Sequence, residues 1–266
     1  NSINKKRLMI LPSRGLGFRF RHFMLDLAAL LPHSKRENKL DTKNQLGIIN
    51  EVCDLEDCDY VMFLEGRRSE DLYMWLSDAS SDGPSAKFYV QNVHTAGELN
   101  MKGNCARKSR GIVSFSPEFD DPSIPHLSIV KRLLEQTFSI PQDYPKINPY
   151  YDHVISFSYL DGRIWYRNYQ IDEQPVSGST GELGLLEIGP RFCMQVVKIH
   201  ERSFSGPIVF KNEQFVSPNE IRNMAKQHAS SKYVRRINEE KASAETKQKL
   251  ALQEDELDTM FHHQQD

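Results

Sequence analysis

Hydrophobic positions along this chain change period several times, and each change marks an element. Residues 6–12 (KRLMILP) hold a short apolar run without alternation, the pattern of a buried strand. A turn, Ser13-Arg14-Gly15, follows it. Over residues 18–31 the apolar side chains Phe20, Phe23, Met24, Leu27, Ala28 and Leu31 recur at helical spacing, and Pro32 stops the helix. Residues 43–52 predict a second, shorter helix, 60–64 a strand, and 70–76 a helix with Leu72, Trp75 and Leu76 inward. Strands are predicted over 87–94 and 111–115. Pro117, Pro122 and Pro125, clustered with Asp120 and Asp121, read as a linker. An amphipathic helix over 126–138 then presents Leu127, Val130, Leu133, Leu134 and Phe138.

The next stretch is all β. Strands over 154–159 and 163–169 flank Asp161-Gly162, a strong hairpin signal. Residues 174–182 form a flexible loop, and strands over 183–188, 192–200 and 207–210 complete the set. Ser217-Pro218-Asn219-Glu220 is a capping box with proline at the first helical position, so a long polar helix should run to about residue 250. The acidic segment 251–266 is expected to be disordered.

Two segments repeat. GPSAKFYVQNVH (83–94) and GPRFCMQVVKIH (189–200) share Gly83/Gly189, Pro84/Pro190, Val90/Val196 and His94/His200. Asp59-Tyr60-Val61 echoes Asp152-His153-Val154 ahead of each copy, and residues 111–115 echo 206–210 behind it. The reading is an α/β (α+β) fold of two related halves, about 6–117 and 123–215, followed by a helix over 217–250. Each Gly-Pro would open a strand, where the missing N–H costs little.

The 266 residues suffice for a core without disulfides or metal. No apolar run approaches the ~20 residues that span a bilayer, and no charged-then-apolar leader opens the sequence. Cys53, Cys58, Cys105 and Cys193 lack paired spacing, so they are expected to be reduced thiols in or near the core rather than zinc ligands or disulfides. The net charge of −2 argues against a uniformly basic surface, but the charge is blocked. Residues 1–43 carry ten Lys or Arg against Asp26, Glu37 and Asp41, and 51–82 carry ten acids against Arg67 and Arg68. Residues 87–111 turn basic again. Such blocks create local fields that suit a polyanion partner.

Catalytic signatures are missing from the sequence. There is no phosphate-loop GxxxxGK[ST], no GxSxG, and His200-Glu201 is not followed by a second histidine at zincin spacing. His94 and His200, at matching places in the repeat, read as structural histidines bonded to backbone at strand ends. No cofactor is implied.

The run from Ser13 to Asp41 (SRGLGFRFRHFMLDLAALLPHSKRENKLD) resembles the opening of the Brix-domain family of ribosome-assembly factors. INEVCD, DLYMWLS, GPSAKFYVQNVHTAGELNMKGNC, DHVISF, DGRIWYRNYQI and LLEIGPRF are similar to the same family, in its order, from about residue 6 to 215. WLS (75–77) and NVHT (92–95) narrow the resemblance to the family's founding branch, that of the large-subunit pathway. Residues 172–184 look longer than the family's hairpin connection, and the basic tail expected of near relatives is not seen. The resemblance implies two α/β halves similar to synthetase anticodon-binding domains. It also implies a nucleolar, non-catalytic factor that binds precursor large-subunit ribosomal RNA. Its company would be assembly factors and ribosomal proteins of the pre-60S particle, including one dedicated helical partner, with no membrane involved. The alternative is a protein–protein adaptor in such a particle with little RNA contact. An RNA-processing enzyme would have only the synthetase-like fold behind it, a poor warrant.

Under this reading the RNA-binding candidates fall in two basic blocks and one outlier. Ser13, Arg14 and Gly15 sit between strand and helix, where backbone N–H groups attract phosphate. Arg19 and Arg21 add guanidinium forks, and His33, Ser34, Lys35, Arg36 and Lys39 form a mobile cationic loop. Lys102, Arg107, Lys108 and Arg110 lie in a basic Gly/Ser-containing loop, and Arg191 sits where the second half could add one more cation. Tyr166 and Tyr169, with Arg163 and Arg167, could stack on bases if exposed.

Overall fold

The computed structural model describes residues 6–41, 45–79, 82–98, 103, 105, 109–142, 144, 147, 150–172 and 184–250. The first elements are β1 (Leu8–Pro12), α1 (Phe18–Leu30), β2 (Ser34–Arg36), α2 (Ile48–Leu55), β3 (Tyr60–Arg67), β4 (Asp71–Asp78) and β5 (Ser85–His94). Then follow β6 (Arg110–Phe115), a 3-10 turn (Pro117–Asp120), α3 (His126–Phe138), β7 (Tyr151–Leu160), β8 (Arg163–Asp172), β9 (Gly184–Glu187), β10 (Arg191–Arg202) and β11 (Ser205–Lys211). Helix α4 (Pro218–Lys249) belongs to a unit of its own that begins at Val216.

All the described strands join one sheet in the order β2-β1-β3-β4-β5-β10-β8-β7-β6, with β11 beside β10 and β9 beside β8. That order is a palindrome of connections about the antiparallel β5–β10 pair. β1 runs parallel to β3, with helices in the connection between them, as β6 runs parallel to β7 with α3 between. β3, β4 and β5 then form an antiparallel meander, as do β7, β8 and β10. The duplication reaches single hydrogen bonds. Ser13 N–H donates to Leu64 O (2.8 Å) and Gly66 N–H donates to Ser13 Oγ (2.8 Å). Likewise Ser116 N–H donates to Phe157 O (3.0 Å) and Tyr159 N–H donates to Ser116 Oγ (3.1 Å).

Alternation sorts the core into two layers. Leu8, Ile10, Met62, Leu64, Met74, Leu76 and Phe88 face α1 and α3 through Phe23, Leu27, Leu127, Val130 and Leu134. Met9, Leu11, Val61, Phe63 and Trp75 face the other way and pack on Ile49 and Cys53 of α2. β1 and β4, covered on both sides, are therefore buried along their whole length.

Several sequence expectations are corrected here. The helix expected over 70–76 is instead strand β4 (Asp71–Asp78); burial on both faces removes the period-two alternation that would have marked it. The second helix runs Ile48–Leu55 rather than over 43–52. β6 pairs with β7 and not with β11 or any N-terminal strand among the described residues, so the 111–115/206–210 echo does not reflect equivalent strands. The chain passes from one half to the other before Arg110, ahead of the proline cluster, which is the β6–α3 connection. The Gly-Pro and Asp-Tyr-Val echoes do fall at matching places, at the starts of β5 and β10 and of β3 and β7. Asp161 and Gly162, both at positive φ (52° and 71°), turn β7 into β8. The loop over 174–182 and the tail over 251–266 lie outside the described residues.

A candidate anion-binding crevice at the ends of β1 and β2

β1 and β2 are adjacent and parallel, but their connections leave toward opposite faces, β1 into α1 and β2 into α2. A crevice opens at the carboxyl ends of two such strands, which is where open α/β sheets take ligands. It measures about 460 Å³ here, with Leu16, Met24 and Leu25 as an apolar floor. Ser13, Gly15, Arg21, Arg36, Asn38 and Lys39 supply its polar rim together with one acid, Glu37, whose carboxylate lies 3.9 Å from Lys35.

The rim is held by backbone bonds. Leu40 N–H donates to Pro12 O (3.1 Å) and Arg14 N–H to Leu40 O (3.3 Å), which staples the loop after β2 onto the turn after β1. Gly15 takes φ +83°, and the Ser69 hydroxyl donates to its carbonyl (3.3 Å). A Cβ on Gly17, the N-cap of α1, would lie 2.8 Å from Ser69 O, so the chain passes too close to the β3–β4 hairpin for any larger residue. No side chain caps α1, and its first-turn N–H groups add positive potential at this end.

The cations divide by what they touch. Arg21, Arg36 and Lys39 are exposed, and among the described residues no carboxylate lies within ion-pair distance of them. Arg14 pairs with Asp41 (3.3 Å) and Arg19 with Glu98 (2.9 Å), both at the surface. The hydrogen bond from Arg19 holds the Glu98 carboxyl below the usual carboxylate range. Lys35 is bound to Glu56, with Glu37 at 3.9 Å.

The expected mobile loop over 33–36 is an edge strand instead. His33 is 1% exposed, with Nε2 3.2 Å from Thr137 O in α3. It anchors the start of β2 and cannot meet RNA. Ser34 is half-buried, its hydroxyl donating to Ala28 O (3.3 Å).

Other sequence candidates lie apart from the crevice. Arg110 is on β6 at the far edge of the sheet, with its guanidinium on the carbonyls of Pro141 (3.3 Å) and Gln142. Glu187 holds Arg191 and Arg167, each at 3.1 Å. Tyr166 is 1% exposed and stacks on Phe192 inside the core, so base stacking by Tyr166 is corrected; Tyr169 is half-buried. Lys102, Arg107 and Lys108 lie outside the described residues. His200 Nδ1 sits 3.3 Å from Gly206 O, a backbone contact as expected, whereas His94 lies 3.8 Å from the Glu98 carboxylate. Sequence reasoning missed Asn38; its position between Arg36 and Lys39 was the available signal.

A family model described as Brix domain matches residues 13–198. The "Ribosome biogenesis protein BRX1 homolog" of Rattus norvegicus is 47% identical over 230 residues, which is 86% of this chain and 62% of that protein. "Ribosome biogenesis protein BRX1" of Saccharomyces cerevisiae is 45% identical over 233 residues, 86% of this chain and 79% of that protein. The chain thus spans about three-fifths of the rat relative's length. Among solved structures, the archaeal Imp4-like protein Mil aligns at 13% identity with a TM-score of 0.40, covering 73% of this chain and 99% of that one.

Proposed function

The chain belongs to the Brix domain family, and from that premise we propose that it is a non-catalytic ribosome-assembly factor that binds precursor large-subunit ribosomal RNA through the β1–β2 crevice. One observation carries the site: Arg21, Arg36 and Lys39, unengaged by any carboxylate among the described residues, converge on one crevice at a helix N-terminus. Guanidinium forks match phosphate oxygens bidentately, and the Ser13–Gly15 turn lets a backbone approach. Contacts of this kind recognise the shape and phosphate path of a folded RNA and read few bases. Arg14 and Arg19, in exposed ion pairs worth little in water, can exchange their carboxylates for phosphate. The names of the relatives support the assembly role, and that role is what supports a nucleolar location among other proteins of the large-subunit precursor.

The test is a salt titration of RNA binding with Arg21→Ala/Arg36→Ala/Lys39→Ala. Losing three phosphate contacts should lower the slope of log K against log salt by about 2 to 3, with the thermal midpoint unchanged. An unaltered slope would remove the crevice from the RNA interface.

A further inference from the structure

Helix α4 has 32 residues, opens on a complete capping box (Ser217 and Glu220), and forms a unit separate from the sheet. Only Pro218 is buried. A helix that docks into a protein groove carries an apolar stripe at helical spacing. The apolar residues before Asn238 form no continuous stripe: at about 100° per residue Ile221 and Met224 lie on one side, and Tyr233, Val234 and half-buried Ile237 lie on another. The charges do segregate. Arg222, Lys226, Lys232, Arg235 and Arg236 fall within about half the circumference over about 21 Å of axis. Asn223, Gln227, Ser230, Ser231 and Asn238 occupy the other half. The one acid before Glu239, Glu220, is used by the cap, its carboxylate accepting from Ser217 N–H at 2.9 Å. Beyond Asn238 the pattern ends, because Glu239 and Glu240 pair with Arg235 (2.8 Å) and Arg236 (2.9 Å). Those pairs are fully at the surface and yield readily to a stronger anion.

We propose that this cationic half of α4 is a second phosphate-binding surface, which lies along the backbone of a folded RNA. The inference rests on the RNA reading above and adds a site that is independent of the crevice. Charge complementarity selects the occupant: a one-sided cationic face without an apolar seam suits a polyanion.

The experiment uses the whole chain, a labelled RNA stem-loop and fluorescence anisotropy over a KCl series. The α4 variant replaces Arg222, Lys226, Lys232, Arg235 and Arg236 with Gln, which retains helix propensity; far-UV circular dichroism checks the helix. Its salt slope should fall by about 3.5 to 4.5 relative to the parent chain if all five cations meet phosphate. A second variant, Arg222→Lys/Arg235→Lys/Arg236→Lys, keeps the charge and should keep the slope. If the parent binds and the Gln variant matches it, α4 is not an RNA surface, while the crevice assignment stands. A fall in the charge-preserving variant as deep as in the Gln variant would also overturn the proposal. If the α4 variant loses slope and the crevice triple does not, α4 stands and the crevice falls. A parent chain that ignores the stem-loop at low salt overturns both.

Discussion

His33 ties β2, and with it one wall of the crevice, to α3 across 104 positions of sequence, and this tie should fail in acid. Its Nε2–H donates to Thr137 O, while Nδ1 is buried without a partner among the described residues. Protonating Nδ1 would place a charge and an unmet donor in the core. Burial therefore holds the imidazole pKa down at about 4, and the Thr137 carbonyl recovers only part of that loss. In the unfolded chain the ring titrates near the ordinary ~6.5, so below that pH the unfolded state takes up the proton first. The stabilising contribution is complete above about pH 6.5 and disappears as pH falls toward 4. Linkage puts the loss between pH 7 and 4.5 at about 2.5 kcal/mol. Urea unfolding followed by tryptophan fluorescence at stepped pH, on the parent chain and His33→Gln, isolates this share, since every other titrating group is common to both. The variant should be less stable at pH 7 and should lose about 2.5 kcal/mol less on acidification. Identical pH slopes in the two proteins would refute a neutral, buried His33.

Two further outcomes follow from the second face of the sheet. Burial drives the Glu65 carboxyl up, but Lys87 at 2.8 Å, with Arg67 and Trp75, outweighs it, and Lys87 sits over the Tyr73 and Trp75 rings at 4.5 and 4.9 Å. Lys87→Met should cost about 2 kcal/mol, since Glu65 loses its most buried partner and keeps only Arg67 (2.7 Å) and Trp75 (3.2 Å), and adding Glu65→Gln should restore most of it; chemical denaturation of the four proteins in the cycle measures both. Burial raises the Cys53 thiol to about 12 and the Cys58 thiol to about 11, so neither should react with iodoacetamide at pH 8 until urea unfolds the chain, as peptide mass mapping would show.

What the sequence made legible was local. α1 and α3 each present a single apolar face, so their period survives in the sequence, and Asp161-Gly162 announces its own turn. β4 was misread because its surroundings are non-local: α2 covers Trp75 while Met74 and Leu76 face the opposite layer, and a strand wrapped on both sides has no alternation left to read. The site divides in the same way. The Ser13-Arg14-Gly15 turn could be read directly, because turn chemistry is written in adjacent residues. Which cations stay unengaged could not, since Arg19 meets Glu98 and Lys35 meets Glu56 only once the sheet has assembled. Proline marks loops, not strand partners, so the cluster at 117–125 looked like a boundary although the β6–β7 ladder already encloses it.

The duplicated serine contacts sharpen this into a statement about what the fold supplies and what the sequence adds. Ser13 and Ser116 end equivalent strands and make the same two hydrogen bonds to equivalent neighbours, so the backbone builds the same turn twice. After Ser13 come Arg14, Gly15, Arg19 and Arg21; after Ser116 come Pro117, Glu118, Asp120 and Asp121. The second turn closes into a 3-10 segment, and Asp120 draws Lys131 to 2.7 Å. The first half also has β2 and its loop, which bring Arg36 and Lys39 to the turn; among the described strands β6 has no outer neighbour to do the same. Under the function proposed above, a polyanion would be drawn to one end of the sheet and not to the corresponding place on the other. On that proposal the approximate symmetry of the scaffold gives one oriented binding surface rather than two alike, which would set a folded RNA in a single direction across it.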